Sequence, residues 1–254
     1  MNILKLENLS VEVAGKSVLE DVNLEIPKGE VHVLFGPNGS GKTSLIMAIL
    51  GFSNYHIVSG KIWFNEIDIT HMPINERVKL GIGVAFQNPP AIRGVKLGDI
   101  IHAFIDKGTD AEQRERKLTK TTNIPSEFLS RDLNLGFSGG ELKRSEILQV
   151  LAQKPGFVML DEPDSGVDVE NLELVGKILD NFLKKRSGLL ITHLGYILRY
   201  VDADKAHVLL DKTIVCSGKT TEILSHILKE GYKWCEKCPV LRKRRYERRI
   251  SQRL

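Results

Sequence analysis

Two segments near the start of the chain, LKLENLSVEV (4–13) and SVLEDVNLEI (17–26), alternate apolar and polar residues across a Gly-containing connection. A two-residue period on either side of a short connection predicts antiparallel strands with one solvated face. The pattern then changes. VHVLF (31–35), GVAF (83–86), FVMLD (157–161), GLLIT (188–192) and AHVLL (206–210) are dense in Val, Ile, Leu or Phe. Strands covered on both faces have that composition, so these five predict a central, largely parallel sheet. Longer amphipathic stretches between them predict helices over 42–50, 139–154, 169–186 and 219–230. Residues 88 to about 155 hold no comparable strand and several polar helical stretches, which reads as a helical insertion between two sheet strands. The order is that of an α/β fold.

Composition narrows the class. The chain has 254 residues, 42 % hydrophobic and 27 % charged, close to ordinary soluble domains, so disordered and fibrous classes drop out. No run approaches the roughly 18 apolar residues of a spanning helix, and MNILKLENLS lacks the order of a signal peptide. A cytoplasmic protein is expected. Three cysteines cannot form a disulfide framework. The net charge of +4 is unevenly placed: residues 240–254 carry seven Lys/Arg against one acid, leaving 29 basic against 31 acidic residues before them. A basic run of this kind is expected to be a solvated tail, and nucleic acid is not an expected partner.

Candidate chemistry begins directly after VHVLF. Gly36-Pro37-Asn38-Gly39-Ser40-Gly41-Lys42-Thr43, followed by Ser44, fits the pattern of Gly, four residues, then Gly-Lys-Ser/Thr. The glycines let the backbone turn with its amides inward, and the following helix N-terminus favours phosphate. In such a loop Lys42 reaches the β and γ phosphates and Thr43 offers its hydroxyl to Mg²⁺. A second acidic element is then required at a neighbouring strand end, and FVMLDEP supplies it. Asp161 is expected in the Mg²⁺ shell, with Glu162 orienting and polarising the attacking water.

Between these elements, GFSGGE (136–141) resembles the LSGGQ signature of ABC ATPases. The resemblance implies an ABC nucleotide-binding domain: a P-loop α/β core with an antiparallel β subdomain and an inserted helical subdomain. It implies that Ser138, Gly139, Gly140 and Glu141 close on the γ phosphate held by a second subunit, in a transient head-to-tail homodimer formed with ATP. Gln87 then corresponds to the Q-loop glutamine, a catalytic and metal-contacting position. Asp168 lies in the D-loop at the dimer contact, and His193 corresponds to the H-loop histidine. Many members stack adenine on an aromatic near the end of the first strand, where this chain has Val13, Ala14 and Gly15.

Over roughly residues 3–234 the chain is most similar to the SufC-type ATPases of iron–sulfur cluster assembly. NLGFSGGELKRSEILQ, DEPDSGVD, VAFQNPPAIRGV and EGYKW carry the likeness, while Pro163 is the residue transporter ATPases commonly have. This implies a partner like SufB, alone or with SufD, and no direct membrane contact. The rival is the ATP-binding subunit of a membrane importer. The expected organisation is a core with its β subdomain over 1–87, a helical signature subdomain over 88–155, the second part of the core over 156–234, and a basic tail over 235–254. Cys235 and Cys238 form a Cys-x-x-Cys, to which no metal is assigned.

Overall fold

The alternating N-terminal segments form two long antiparallel strands, β1 (Asn2–Val13) and β2 (Lys16–Pro27). The structure, a computed structural model, describes residues 1–105 and 110–236. Next come β3 (Val31–Phe35), α1 (Lys42–Leu50), β4 (His56–Phe64), β5 (Ile67–Asp68), α2 (Ile74–Lys79) and β6 (Ile82–Ala85). A middle section holds β7 (Ile92–Lys96), α3 (Leu97–Phe104), α4 (Ala111–Thr122), β8 (Asp132–Leu133) and α5 (Gly139–Gln153). The remainder is β9 (Phe157–Asp161), α6 (Val169–Leu183), β10 (Ser187–Thr192), β11 (Lys205–Leu210), β12 (Thr213–Gly218), α7 (Thr220–Glu230) and α8 (Lys233–Glu236).

Two sheets carry the fold. The antiparallel sheet has the order β2-β1-β4-β5, and the central sheet β12-β11-β3-β10-β9-β6, in which only β12 runs antiparallel to its neighbour. Every residue of β3, β9 and β10 is buried, because layers cover both faces. Their side chains alternate between those layers with the period of two that a strand imposes. Leu34, Phe157 and Met159 join the core beneath α1 and the antiparallel sheet, whereas Val33, Val158 and Leu160 join the core under α5, α6 and α7. A third cluster, with Leu97, Ile101, Phe128, Leu133 and Leu148, lies within the middle section.

Several elements differ from the sequence pattern. Between 88 and 155 the structure adds the short antiparallel pair β7–β8, joined through Ile92 and Leu133. Strands β4, β5 and β12 are not predicted, and α6 stops at Leu183 instead of continuing to 186. There the Arg186 guanidinium turns back and donates to the Phe182 carbonyl at 2.9 Å, satisfying one of the last carbonyls of the helix. Cys235 is buried against the second core; Cys238 and the basic segment 240–254 lie outside the described residues.

Below α1 sits a buried cation. Arg77 is 2 % exposed and donates to the carbonyls of Met72, Ala48, Ile49 and Thr70 at 2.7–3.0 Å. Burial pushes its pKa down to about 10, and backbone carbonyls at the negative end of α1 take the place of water around it. Gly51, with φ +82, ends the helix where a Cβ would lie 2.8 Å from the guanidinium.

A buried histidine pair links β3 to β11. His207 Nε2 lies 2.9 Å from His32 Nδ1, while the outer nitrogens meet Ser217 Oγ and Glu30 Oε2. Burial holds both imidazoles below the ordinary histidine range, His207 at about 3. A histidine depressed in the folded state takes up protons preferentially when unfolded, so its contribution to stability falls as pH drops from about 6.5 toward 3. Glu146 and Asp161, both raised by burial, act in the opposite sense. The comparison that isolates the pair is therefore with a variant. Between pH 6.5 and 5, His207→Asn is expected to lose about 2 kcal/mol less than the wild type in chemical denaturation. Parallel pH dependences in the two proteins would contradict this.

Candidate functional site

β3 delivers the chain at Phe35 and α1 begins at Lys42, so residues 36–41 form a tight turn between them. Gly41, with φ +110, has no room for a side chain: a Cβ would meet the Val18 carbonyl at 2.9 Å. At Gly36 a Cβ would come within 2.5 Å of the Leu209 carbonyl. The Ser40 amide donates to the Pro37 carbonyl at 3.2 Å, and the buried Ser40 hydroxyl has no hydrogen-bond partner among the described residues. Lys42 folds back over the turn, with Nζ donating to the carbonyls of Gly36 at 2.8 Å and Pro37 at 3.1 Å. Burial lowers its pKa, opposed by the neighbouring carboxylates of Glu162 and Asp161. Asn38, Gly39, Lys42, Thr43 and Ser44 line an open cleft of about 390 Å³, shared with Gln87 and Glu162.

The acidic pair stands at the end of β9. Asp161 Oδ2 accepts from Thr43 Oγ1 at 3.2 Å, while Oδ1 is buried without a hydrogen-bond partner. Burial raises this carboxyl's pKa and the Thr43 hydroxyl opposes the rise. Glu162 leaves the strand with φ +46, a left-handed conformation that a non-glycine residue rarely adopts. Its amide donates to the Ile191 carbonyl at 2.8 Å, which holds that turn. The buried carboxylate is reached from three sides: Gln87 Nε2 donates to Oε2 at 2.7 Å, Lys42 Nζ lies 3.7 Å from Oε1, and His193 Nδ1 lies 3.5 Å from Oε2. The last distance is too long for a good hydrogen bond.

Ser138, Gly139, Gly140 and Glu141 do not line this cleft. They open α5 with a capping box: Ser138 Oγ accepts from the Glu141 amide, and Glu141 Oε2 accepts from the Ser138 amide at 2.7 Å. Cβ atoms on Gly139 and Gly140 would run into Gly166 and Asn171, so these glycines let the signature lie flat on the turn before α6. Asp168 caps α6 by accepting from the Asn171 amide and side chain, both at 2.8 Å.

Three further residues bind these pieces together, and motif spacing did not single them out. Lys143 Nζ donates to the Gln87 carbonyl at 2.8 Å, and Glu146 accepts from the Phe86 amide at 3.0 Å, so one face of α5 grips the chain on both sides of the Q-loop. Burial lowers the Lys143 pKa and pushes Glu146 up to about 6. The available signal is their i, i+3 spacing on a helix face that also carries Ile147 and Val150 into the core. The third residue is Asp164, whose carboxylate accepts from Thr192 Oγ1 at 2.9 Å and from the Ile197 amide at 3.4 Å. It ties the turn after Glu162 to the turn that carries His193.

The family model described as ABC transporter matches residues 19–165, which contain the P-loop, the signature segment and the acidic pair. The chain belongs to the ABC transporter family of ATP-binding proteins. A "Probable ABC transporter ATP-binding protein" of Streptococcus pyogenes serotype M3 is 38 % identical over 242 residues, spanning 91 % of this chain and 94 % of that protein. The "Probable ATP-dependent transporter ycf16" of Cyanidium caldarium is 38 % identical over 245 residues, spanning 92 % and 96 %. Among solved structures, the ADP conformation of an ATP-binding cassette of an ABC transporter superposes with a TM-score of 0.74 at 27 % identity, covering 91 % of this chain and 96 % of that one.

As an ABC ATPase the chain binds and hydrolyses ATP, and the cleft has the donors for it. Its wall includes Ser17 and Val18 of β2 and Lys212, whose carbonyl accepts from the Glu20 amide of the same strand at 2.9 Å, while Ala14 and Gly15 form the exposed β1–β2 turn with φ 49 and 72. No aromatic side chain lines the cleft among the described residues. The unpartnered Asp161 Oδ1 and the Thr43 hydroxyl form an all-oxygen donor set that suits a hard divalent cation such as Mg²⁺. Among the described residues no cluster of three or more His, Cys, Asp and Glu makes a self-contained metal site, so such a cation would share its shell with phosphate oxygens. No helix among the described residues is long and apolar enough to cross a membrane.

Proposed function

We propose that this chain is a SufC-type ATPase whose closure on ATP drives a conformational change in a SufB or SufB–SufD scaffold during iron–sulfur cluster assembly. The P-loop residues Gly36–Ser44 cradle the phosphates, and Lys42 moves from the carbonyls of its own loop onto the β and γ oxygens. Thr43, Asp161 and Gln87 would hold Mg²⁺ with the nucleotide. When bound, that ion would supply positive charge to offset that of the phosphate oxygens. Glu162 accepts the proton of the attacking water, Gln87 orients it, and His193 contacts the γ phosphate.

The signature residues Ser138–Glu141 act in trans on the other subunit's nucleotide, with Asp168 at the contact. Two observations support a surface of that kind. Ser138 and Gly139 at the start of α5 are exposed and do not line the cleft of their own chain, and the side chain after Asp168, Val169, is 76 % exposed at the start of α6.

The observation that carries the SufC reading is the signature segment itself. In NLGFSGGELKRSEILQ the residues after the signature place Lys143 and Glu146 on the Q-loop backbone, so a movement of α5 relative to the core is transmitted to Gln87 and from there to Glu162. A scaffold seated near the Q-loop would be moved by the same linkage, and the protein would work in the cytoplasm. The name of the streptococcal relative favours the second reading, the ATP-binding subunit of a membrane transporter, whereas the likeness to the ycf16 protein supports the SufC-type one. Affinity capture of tagged Glu162→Gln protein with ATP and Mg²⁺ separates the two. A soluble SufB-like scaffold identified in the eluate is the expected result; a polytopic permease recovered only from the detergent fraction would establish the other reading.

A further inference from the structure

The C-terminal end of the described chain returns to the nucleotide site. After α7, Gly231 with φ +64 turns the backbone, and Tyr232 enters just before α8. The Tyr232 ring packs on the second core beside Trp234 and the buried Cys235, which fixes its direction. Its hydroxyl donates to the His193 carbonyl at 3.0 Å. The Gly36 amide, the first of the P-loop, stands close enough to the same oxygen to favour its ionised form. Burial nevertheless pushes the phenol up to about 12, so it remains a protonated donor at any physiological pH. One hydroxyl therefore meets both the loop that carries His193 and the first residue of the P-loop.

His193 needs support of this kind. Its ring is 35 % exposed, its buried Nδ1 has no hydrogen-bond partner, and its nearest ionic neighbour, Glu162, is 3.5 Å away. The imidazole is thus not held by its own atoms. What fixes it is the backbone on either side. Before it, Thr192 Oγ1 is held by Asp164; after it, the Gly195 amide donates to Thr192 Oγ1 at 2.9 Å, and Gly195 packs on Leu224 of α7. The His193 carbonyl itself is anchored by Tyr232. We propose that Tyr232 is a positioning residue for ATP hydrolysis, its hydroxyl fixing His193 relative to the P-loop. The inference rests on the reading of His193 as the γ-phosphate contact.

The test uses the full chain and Mg²⁺-ATP at fixed protein concentration. Tyr232→Phe keeps the ring in its apolar seat and removes only the hydroxyl. The expected result is a kcat lowered about fivefold, with KM and the affinity for a fluorescent ADP analogue within about twofold of wild type, because misplacement of a reacting group acts on the chemical step. The melting temperature is expected to stay within about 3 °C. In a His193→Ala background the same substitution is expected to change kcat less than about twofold, since two residues acting through one path are not additive.

An unchanged kcat in Tyr232→Phe, an equal loss in both backgrounds, or a loss confined to KM and melting temperature would each overturn the proposal. If His193→Ala alone leaves kcat at the wild-type level, the reading of His193 fails and this inference falls with it. A silent Tyr232→Phe beside an impaired His193→Ala sinks the inference alone.

Discussion

Glu162→Gln is expected to lower ATP turnover by about 10²- to 10⁴-fold while leaving ATP bound, the range for loss of a positioned general base. The substitution preserves size, so the left-handed turn at φ +46 and the amide bond to Ile191 are not asked to change. What is lost is the carboxylate onto which Gln87, Lys42 and His193 converge. What is also removed is a negative charge that faces the incoming phosphates across a cleft only 3.7 Å from the Lys42 ammonium. Both effects favour a persistent ATP complex. If the site is completed by a second copy's signature, that complex accumulates as a closed dimer, because ATP shifts the population toward the state that holds it from both sides. Analytical ultracentrifugation with saturating ATP and Mg²⁺ reads the outcome directly. A variant that hydrolyses slowly yet sediments as a monomer would remove the shared-site model for the isolated protein, and one with wild-type turnover would remove Glu162 as the base.

The elements that carry this site were legible for a physical reason. β3, β9 and β10 are covered on both faces, so burial alone dictated their composition, and each ends where a functional loop begins. β4 was hidden by one residue. Gly60, at φ +85, sits where a Cβ would lie 2.3 Å from the Glu7 carbonyl, and the β1–β4 register shifts between Glu7 and Ser10. Such a bulge breaks the alternation from which a strand is recognised. β7 and β8 were hidden because five and two residues give a period of two too little length. At the site, the P-loop and acidic pair were legible because spacing along the chain fixes their chemistry. Lys143, Glu146, Asp164 and Tyr232 were not, since a charged residue in a helix or turn, or a tyrosine beyond the last strand, is ordinarily a surface feature. Their burial and their partners exist only once distant segments meet.

Lys42→Ala is expected to weaken ATP and ADP binding by about two to four orders of magnitude, the equivalent of the roughly 3–5 kcal/mol lost when one member of a buried ionic arrangement is removed. The lysine is only 6 % exposed, and no other ammonium is described within bonding distance of the Gly36 and Pro37 carbonyls. Its burial lowers its own pKa, and the Glu162 and Asp161 carboxylates, which would otherwise repel the nucleotide, oppose that fall. Alanine leaves the Glu162 carboxylate facing phosphate without the Lys42 ammonium beside it, and loss of affinity follows from charge as well as from lost hydrogen bonds. Titration calorimetry with Mg²⁺-ADP on protein whose circular dichroism matches the wild type measures it. The same titration on Lys42→Arg distinguishes the sources of the loss. A guanidinium restores charge, but its planar fork does not fit a turn built around a slender ammonium, so recovery is expected to be partial. Affinity of Lys42→Ala within tenfold of wild type would place the phosphate cradle in the backbone amides of Gly39–Thr43 instead of the lysine.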